Sequence, residues 1–162
     1  MAVLQVDPSR VRTIPAKSPI QLEQQEGNLQ VCAYARVSTD EEEQMTSYHS
    51  QIQHYTHKIR QQKGWDFVAV FADEGISGTS TKNRTEFKKM IRLCKEKKID
   101  LILTKSISRF ARNALDSISY ARMLKALGVG IIFEKENIDT RELNNEMIFV
   151  VLSAFAQAES ES

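Results

Sequence analysis

Arg36-Val37-Ser38 is the first place in this chain where residue types and spacing could do chemistry. In an extended segment Arg36 and Ser38 point to the same side, because side chains alternate along a strand. A serine hydroxyl becomes a nucleophile when activated, and a guanidinium beside it offers a forked set of donors that fits phosphate oxygens. Further arginines stand in comparable places. Arg84 follows a run rich in glycine and hydroxyl residues that opens at Asp73, and Arg109 and Arg112 close the stretch KSISRFAR (105–112). Three residues apart, Arg109 and Arg112 are expected to share a helical face. Four guanidiniums gathered around Ser38 would repel one another until an anion neutralised them, and a phosphodiester would do so. Each piece alone also has a plain structural reading. The segment after Val37 is an ordinary helix start, and an arginine at position 84 can be a tolerated surface residue.

These residues need a frame, and the apolar pattern supplies one. Strands are expected at 31–37, 66–71, 100–104 and 128–133, each a short apolar-rich run. Between them lie helical stripes: Met45, Tyr48, Ile52, Tyr55 and Ile59; then Phe87, Met90, Ile91 and Cys94; then Ala114, Ile118, Ala121 and Leu124. Strands separated by single helices predict an α/β fold in three layers, a mostly parallel central sheet flanked by helices. Sites in such sheets form beyond the carboxyl ends of the strands, where Ser38, Asp73 and the 105–112 stretch are expected. From Asn144 to Glu159 the chain reads as a helix apolar on nearly every side, with six apolar residues in a row at 147–152. Such a helix needs cover from the sheet on one side and from a partner on the other. A strand followed by a short helix is the alternative for that segment. Residues 1–28 contain all three prolines and no sustained periodicity, and are expected to be a flexible leader ahead of a domain spanning 29–162.

Composition narrows the function classes. Apolar residues make up 41% of the 162, enough for one domain with a core. The net charge is +1, from 22 basic and 21 acidic residues, so any contact with nucleic acid must come from local clustering. No run approaches the length of a membrane span, and the start lacks the pattern of a secretion signal. Cys32 and Cys94 sit in apolar patterns without metal spacing, and a reduced cytoplasmic protein is the expectation. His49, His54 and His57 contain no i,i+4 pair, so no metal site is expected. The glycines at 128 and 130 precede a strand instead of following one and make no dinucleotide fingerprint.

The stretches YARVST (34–39), DEGISGTSTKNR (73–84), KSISRFAR (105–112) and FAQAES (155–160), with the spaced Gln44 and Gln51, together resemble the resolvase/invertase family of serine site-specific recombinases. Among these the chain is most similar to the large serine recombinases of phages and integrative elements. The resemblance implies that Ser38 attacks a DNA phosphodiester and becomes joined to the 5′ end. It implies that Arg36, Arg84, Arg109 and Arg112 grip the scissile phosphate and stabilise the transition state. Asp73 would orient arginines, and Gln44 and Gln51 would support that network. Ser108 stands where small resolvases carry an aspartate, and Ser160 follows Glu159 where they carry an arginine; both departures fit the large subgroup. No metal or other cofactor is implied. The partners implied are double-stranded DNA, contacted through its phosphates, and further copies of the chain, as site-bound dimers joined in a tetramer. A bacterial, nucleoid-associated location goes with that reading, as does a long C-terminal helix with DNA-binding domains outside this sequence. The runner-up is a catalytically silent, resolvase-like oligomerisation module. A phosphate-binding, flavodoxin-like module would need a glycine- or hydroxyl-rich loop directly after the first strand, where this chain has an arginine and a serine.

Overall fold

Five strands form one sheet, and their pairing explains where the polar residues come to lie. The structure, a computed structural model, describes residues 27–38, 41–75 and 84–161. The strands are β1 (Leu29–Ser38), β2 (Trp65–Gly75), β3 (Leu101–Thr104), β4 (Gly130–Phe133) and β5 (Ile138–Asp139). Their order across the sheet is β2-β1-β3-β4-β5, with the first four parallel and β5 antiparallel to β4. The helices are α1 (Glu41–Gln61), α2 (Thr85–Lys95), the four-residue α3 (Ile107–Phe110), α4 (Ala114–Ala126) and α5 (Asn145–Glu161), with a 3₁₀ turn at Thr140–Glu142. The expected mostly parallel α/β architecture is the one found.

Period-two alternation sorts the sheet into two faces. Val31, Ala33, Leu101 and Leu103 pack with Tyr55 and Ile59 of α1. Cys32, Tyr34, Ile102, Ile131 and Phe133 pack with α2, α3 and α4 on the opposite face. All four stripe residues of α2 are buried, as are Ile118, Ala121 and Leu124 of α4. A fully buried side chain of this size contributes roughly 1.5–3 kcal/mol, so these stripes hold the helices on the sheet. Both cysteines lie in this core as free thiols, and burial pushes both thiol pKa values up, that of Cys94 to about 12.

Several expectations are corrected. β2 continues four residues beyond the apolar run, because its backbone stays paired with β1 as far as Ser38 opposite Gly75. Asp73 therefore lies inside a strand, directly across from Arg36. β4 begins at Gly130; Gly128, at φ +83°, closes α4 by donating to Lys125, a left-handed stop that glycine adopts without strain. Of the expected α1 stripe, Tyr55 and Ile59 are fully covered and Tyr48 and Ile52 are half-buried, while the Met45 side chain lies outside the described residues. α5 is a single helix, and it packs on α4 where cover from the sheet was expected. Ile148 and Leu152, one turn apart, are its fully buried anchors. Phe149 and Val150 are 50% and 62% exposed, leaving an apolar face without cover. The expected leader falls almost wholly outside the described residues; Asn28, at its end, donates to Asp66 of β2.

Candidate active site

Ser38 is the last residue of β1, at the carboxyl edge of the sheet, and its side chain is outside the described residues. Two residues earlier, Arg36 is clasped to α3 in both directions. Its Nη2 donates to the Ser108 carbonyl at 3.2 Å, and Arg109 Nη1 donates to the Arg36 carbonyl at 2.9 Å. Each guanidinium carries five N–H donors, so this clasp fixes both side chains and leaves donors for an anion. The Arg36 pKa is drawn below its usual value by burial first, with the charges of Arg84 and Arg109 adding to the effect and Tyr34 opposing it. Three guanidiniums thus sense one another at the end of β1.

α3 can be short because it is capped at once. Ser106 is its N-cap, its hydroxyl accepting from the Arg109 amide at 3.2 Å and lying 3.1 Å from the Ser108 hydroxyl. Glu136, in the β4–β5 turn, accepts from the Ile107 amide at 3.2 Å. The helix stops at Phe110, since Ala111 is extended at φ −137° and ψ 158°. Asn113 then caps α4 by accepting from Asp116. The helical face expected to carry Arg109 and Arg112 together therefore does not exist. Arg112 lies in the connection, where it lines a cleft of about 270 Å³ with Ser108 and, from α5, Phe155, Ala156 and Glu159. Ser108 joins the two groups, since its carbonyl holds Arg36 and its residue borders the cleft of Arg112 and Glu159.

Arg84 is no surface residue. It is 7% exposed, its guanidinium lying 3.6 Å from the Phe87 ring centroid and 5.2 Å from that of Tyr34. Its Nε donates to the Tyr34 hydroxyl at 3.4 Å and its Nη2 donates to the Phe110 carbonyl. The aromatic faces offset part of the cost of burying a cation. Asp73, also buried, accepts from the Tyr34 hydroxyl at 2.8 Å and from the amides of Glu86 and Phe87 at 2.9 and 3.0 Å. It supplies from β2 the cap that the Arg84 side chain does not give to α2. Asp73 and Arg84 meet through the Tyr34 hydroxyl, whose pKa is raised to about 12, by burial first and with Asp73 adding against the opposing pull of Arg84. Tyr34 is the residue that sequence reasoning missed. The signal was present, because Tyr34, Arg36 and Ser38 have the same parity on one strand.

Gln51 is not brought to this cluster in the same way. Gln51 Nε2 donates to Ser47 at 3.3 Å and lines a separate cleft on the α1 side, while the Gln44 side chain lies outside the described residues. Among the described residues no grouping of His, Cys, Asp and Glu suits a metal ion, and no helix is long and apolar enough to cross a membrane.

Arg36 on the strand that ends in Ser38 and Arg109 beside it form a guanidinium pair at the carboxyl edge of a parallel sheet, whose donors suit phosphate oxygens. Residues 31–162 match the family model described as Resolvase, N terminal domain. The chain belongs to the resolvase family. It is 32% identical over 131 residues to a resolvase/recombinase of Pseudomonas putida, covering 81% of this chain and 65% of that one. It is 31% identical to the transposon Tn3 resolvase of Escherichia coli, covering 81% and 64%. The resolvase domain thus spans just under two thirds of the length of these relatives. Among solved structures, a resolvase family site-specific recombinase from Streptococcus pneumoniae matches with a TM-score of 0.64 and 30% identity, covering 83% of this chain and 89% of that one. The N-terminal catalytic domain of TP901-1 integrase, at 23% identity and a TM-score of 0.53 over 82% and 97%, shares the fold.

Proposed function

We propose that this chain is the catalytic domain of a site-specific DNA recombinase that cuts and rejoins DNA through a phosphoserine intermediate. The observation that carries the proposal is the clasp between Arg36 and Arg109 beside the end of β1, with buried Arg84 close enough to lower the Arg36 pKa. In this reading the Ser38 hydroxyl attacks the phosphorus of a DNA phosphodiester. The serine oxygen releases its proton as its bond to phosphorus forms, the bond to the 3′ oxygen breaks, and that oxygen takes up a proton and leaves as a free hydroxyl. Arg36 and Arg109 hold the non-bridging oxygens, whose charge grows in the transition state. Arg84 and Asp73, joined by Tyr34, keep α2 and α3 in place beneath them. Arg112 and Glu159 border the neighbouring cleft and act on the same strand or on its leaving end. Because the serine ester keeps the phosphodiester bond energy, rejoining is the reverse attack by a 3′ hydroxyl and calls for no cofactor.

The partners in this reading are duplex DNA and other copies of the chain. The exposed apolar face of α5 is the surface offered for pairing, since contiguous apolar patches of that kind mark interfaces. The closed two-fold dimer is the usual assembly, with a tetramer forming when two site-bound dimers meet. Replacement of Ser38 by alanine in a recombinase carrying this domain tests the mechanism. A nicked suicide duplex and a denaturing gel should reveal a covalent protein–DNA adduct with the parent and none with Ser38→Ala. A normal adduct yield from the alanine variant removes Ser38 from the nucleophile role.

A further inference from the structure

A second cleft opens on the other face of the sheet, at the same carboxyl edge. It has a volume of about 590 Å³ and lies between α1 and the residues that follow β3 and β4. Lys105 and Lys135 border it together with His54, Ser47, Ser50 and Gln51. The two lysines are held side by side by a backbone bond, the Lys135 amide donating to the Lys105 carbonyl at 2.7 Å. Among the described residues that line it the one acid is Glu134, and it is already engaged: the Tyr55 hydroxyl donates to it at 2.8 Å and Lys58 forms an ion pair with it. Lys105 and Lys135 are both exposed. Both lysines border the cleft beside the hydroxyl and amide side chains of Ser47, Ser50 and Gln51. This wall is made for an anion with several acceptor oxygens.

Position decides which anion. β3 lies next to β1, and β4 lies beyond β3. With strands about 4.8 Å apart, Lys105 and Lys135 stand roughly 5 and 10 Å to the side of the strand that ends in Ser38. A DNA strand advances about 3.4 Å per nucleotide along its axis, so the offset corresponds to about one to three nucleotides. We propose that this cleft is a second phosphate subsite, taking a backbone phosphodiester of the DNA strand one to three nucleotides from the one that Ser38 attacks. The proposal rests on the reading of the chain as a DNA strand-transfer domain and adds to it a contact that sets the register of the strand. A phosphate held there fixes position without reading sequence.

The test compares the parent chain with a Lys105→Gln, Lys135→Gln double variant and with Lys95→Gln, an exposed lysine on α2 away from the cleft. Binding of a fluorescein-labelled duplex of arbitrary sequence is followed by anisotropy over a range of salt concentrations. Each phosphate contact contributes about 0.9 to the slope of log K against log salt, so the double variant, which loses one phosphate contact, should lose about 0.9 and Lys95→Gln nothing. In parallel, inorganic phosphate should shift the His54 ring resonances of the parent in NMR spectra and leave those of the double variant in place. An unchanged slope in the double variant overturns the subsite, as does a phosphate shift at His54 that survives the two substitutions. The serine mechanism fails separately: a parent that forms no covalent adduct would sink it and leave the salt comparison intact.

Discussion

Removing the Asp73 carboxylate should destabilise the domain by about 3 kcal/mol, and a double-mutant cycle with Tyr34 should reveal how that energy is shared. Asp73 is 8% exposed and accepts three hydrogen bonds, two from the first amides of α2 and one from Tyr34. Loss of a helix cap costs about 0.5–2 kcal/mol. Leaving the buried Tyr34 hydroxyl without its acceptor adds about 1–3 kcal/mol. Asp73→Ala should therefore fall near the middle of the sum, about 3 kcal/mol. Tyr34→Phe deletes the same hydroxyl bond and also the acceptor of Arg84 Nε, but leaves both amide bonds to Asp73, so it should cost about 2 kcal/mol. In the double variant no orphaned hydroxyl remains, and the two effects should fall short of additivity by about 1 kcal/mol. Urea unfolding followed by circular dichroism measures all three. With a slope near 2 kcal/mol per molar, Asp73→Ala moves the midpoint down by about 1.5 M. Strict additivity within about 0.5 kcal/mol, or a cost for Asp73→Ala below about 1 kcal/mol, would refute the picture of one carboxylate tying β1 to the start of α2.

Three more outcomes are expected. Single replacement of Arg36, Arg84, Arg109 or Arg112 by alanine should slow single-turnover cleavage at saturating enzyme by more than it weakens DNA binding, by about 10²–10³ where an oxyanion donor is lost; an unchanged rate removes that residue from the site. Arg84→Ala should also lower thermal stability, since its guanidinium is packed on Phe87. The neutral form of Tyr34 is favoured by folding, so its contribution to stability is whole below the ordinary tyrosine pKa of about 10 and is lost as pH rises to about 12. An ultraviolet titration should therefore lose a late phase in Tyr34→Phe, and loss of a phase near pH 10 instead would contradict the buried network. On α5, Phe149→Asp should give a folded monomer where the parent forms a weak, concentration-dependent dimer. Phe149 is half exposed beside Arg122 and tolerates a carboxylate, whereas Ile148→Asp should unfold the helix. Sedimentation of the parent as a pure monomer at high concentration would leave α5 as core alone.

The sheet was legible because its central strands are apolar runs, and the α2 and α4 stripes because 3.6-residue periodicity leaves little choice of face. Polar strand ends escape that logic. Asp73, Glu74 and Gly75 offer no apolar signal, and their strand state comes from pairing with β1, a tertiary fact. The two residues of β5 are too short for any pattern to register. α3 was misread for a different reason. The stretch KSISRFAR was given one helical face, although Asn113, followed three residues later by Asp116, is a cap signal that already demanded a fresh helix start. Weighing that signal would have placed Arg112 in the connection. The burial of Arg84 could not be read from sequence, since arginine is almost never fully buried without partners. Its partners come from three segments, Tyr34 on β1, Phe87 on α2 and the Phe110 carbonyl at the end of α3.

The contrast between Arg84 and Arg36 carries a consequence for how the site works. A residue that is to touch an anion directly must keep donors open, and in the proposed mechanism Arg36 and Arg109 do so, each spending a side-chain bond on the other's backbone neighbourhood. Arg84 instead sits on the aromatic ring of Phe87, beneath the network of Asp73 and Tyr34. Its positive charge still reaches Arg36 through a low-dielectric interior, where screening by water and salt is weak. In the proposed mechanism a buried guanidinium of this kind acts on the field around Arg36 without competing for the phosphate oxygens. The division follows from the fold: the strand that ends in Ser38 presents its even-numbered residues to the face that α2 and α3 cover. Tyr34 therefore faces the interior while Arg36, two residues on, reaches the edge. Sequence order along one strand thereby sets the order of burial, from Tyr34, fully covered, to Arg36, only part-buried.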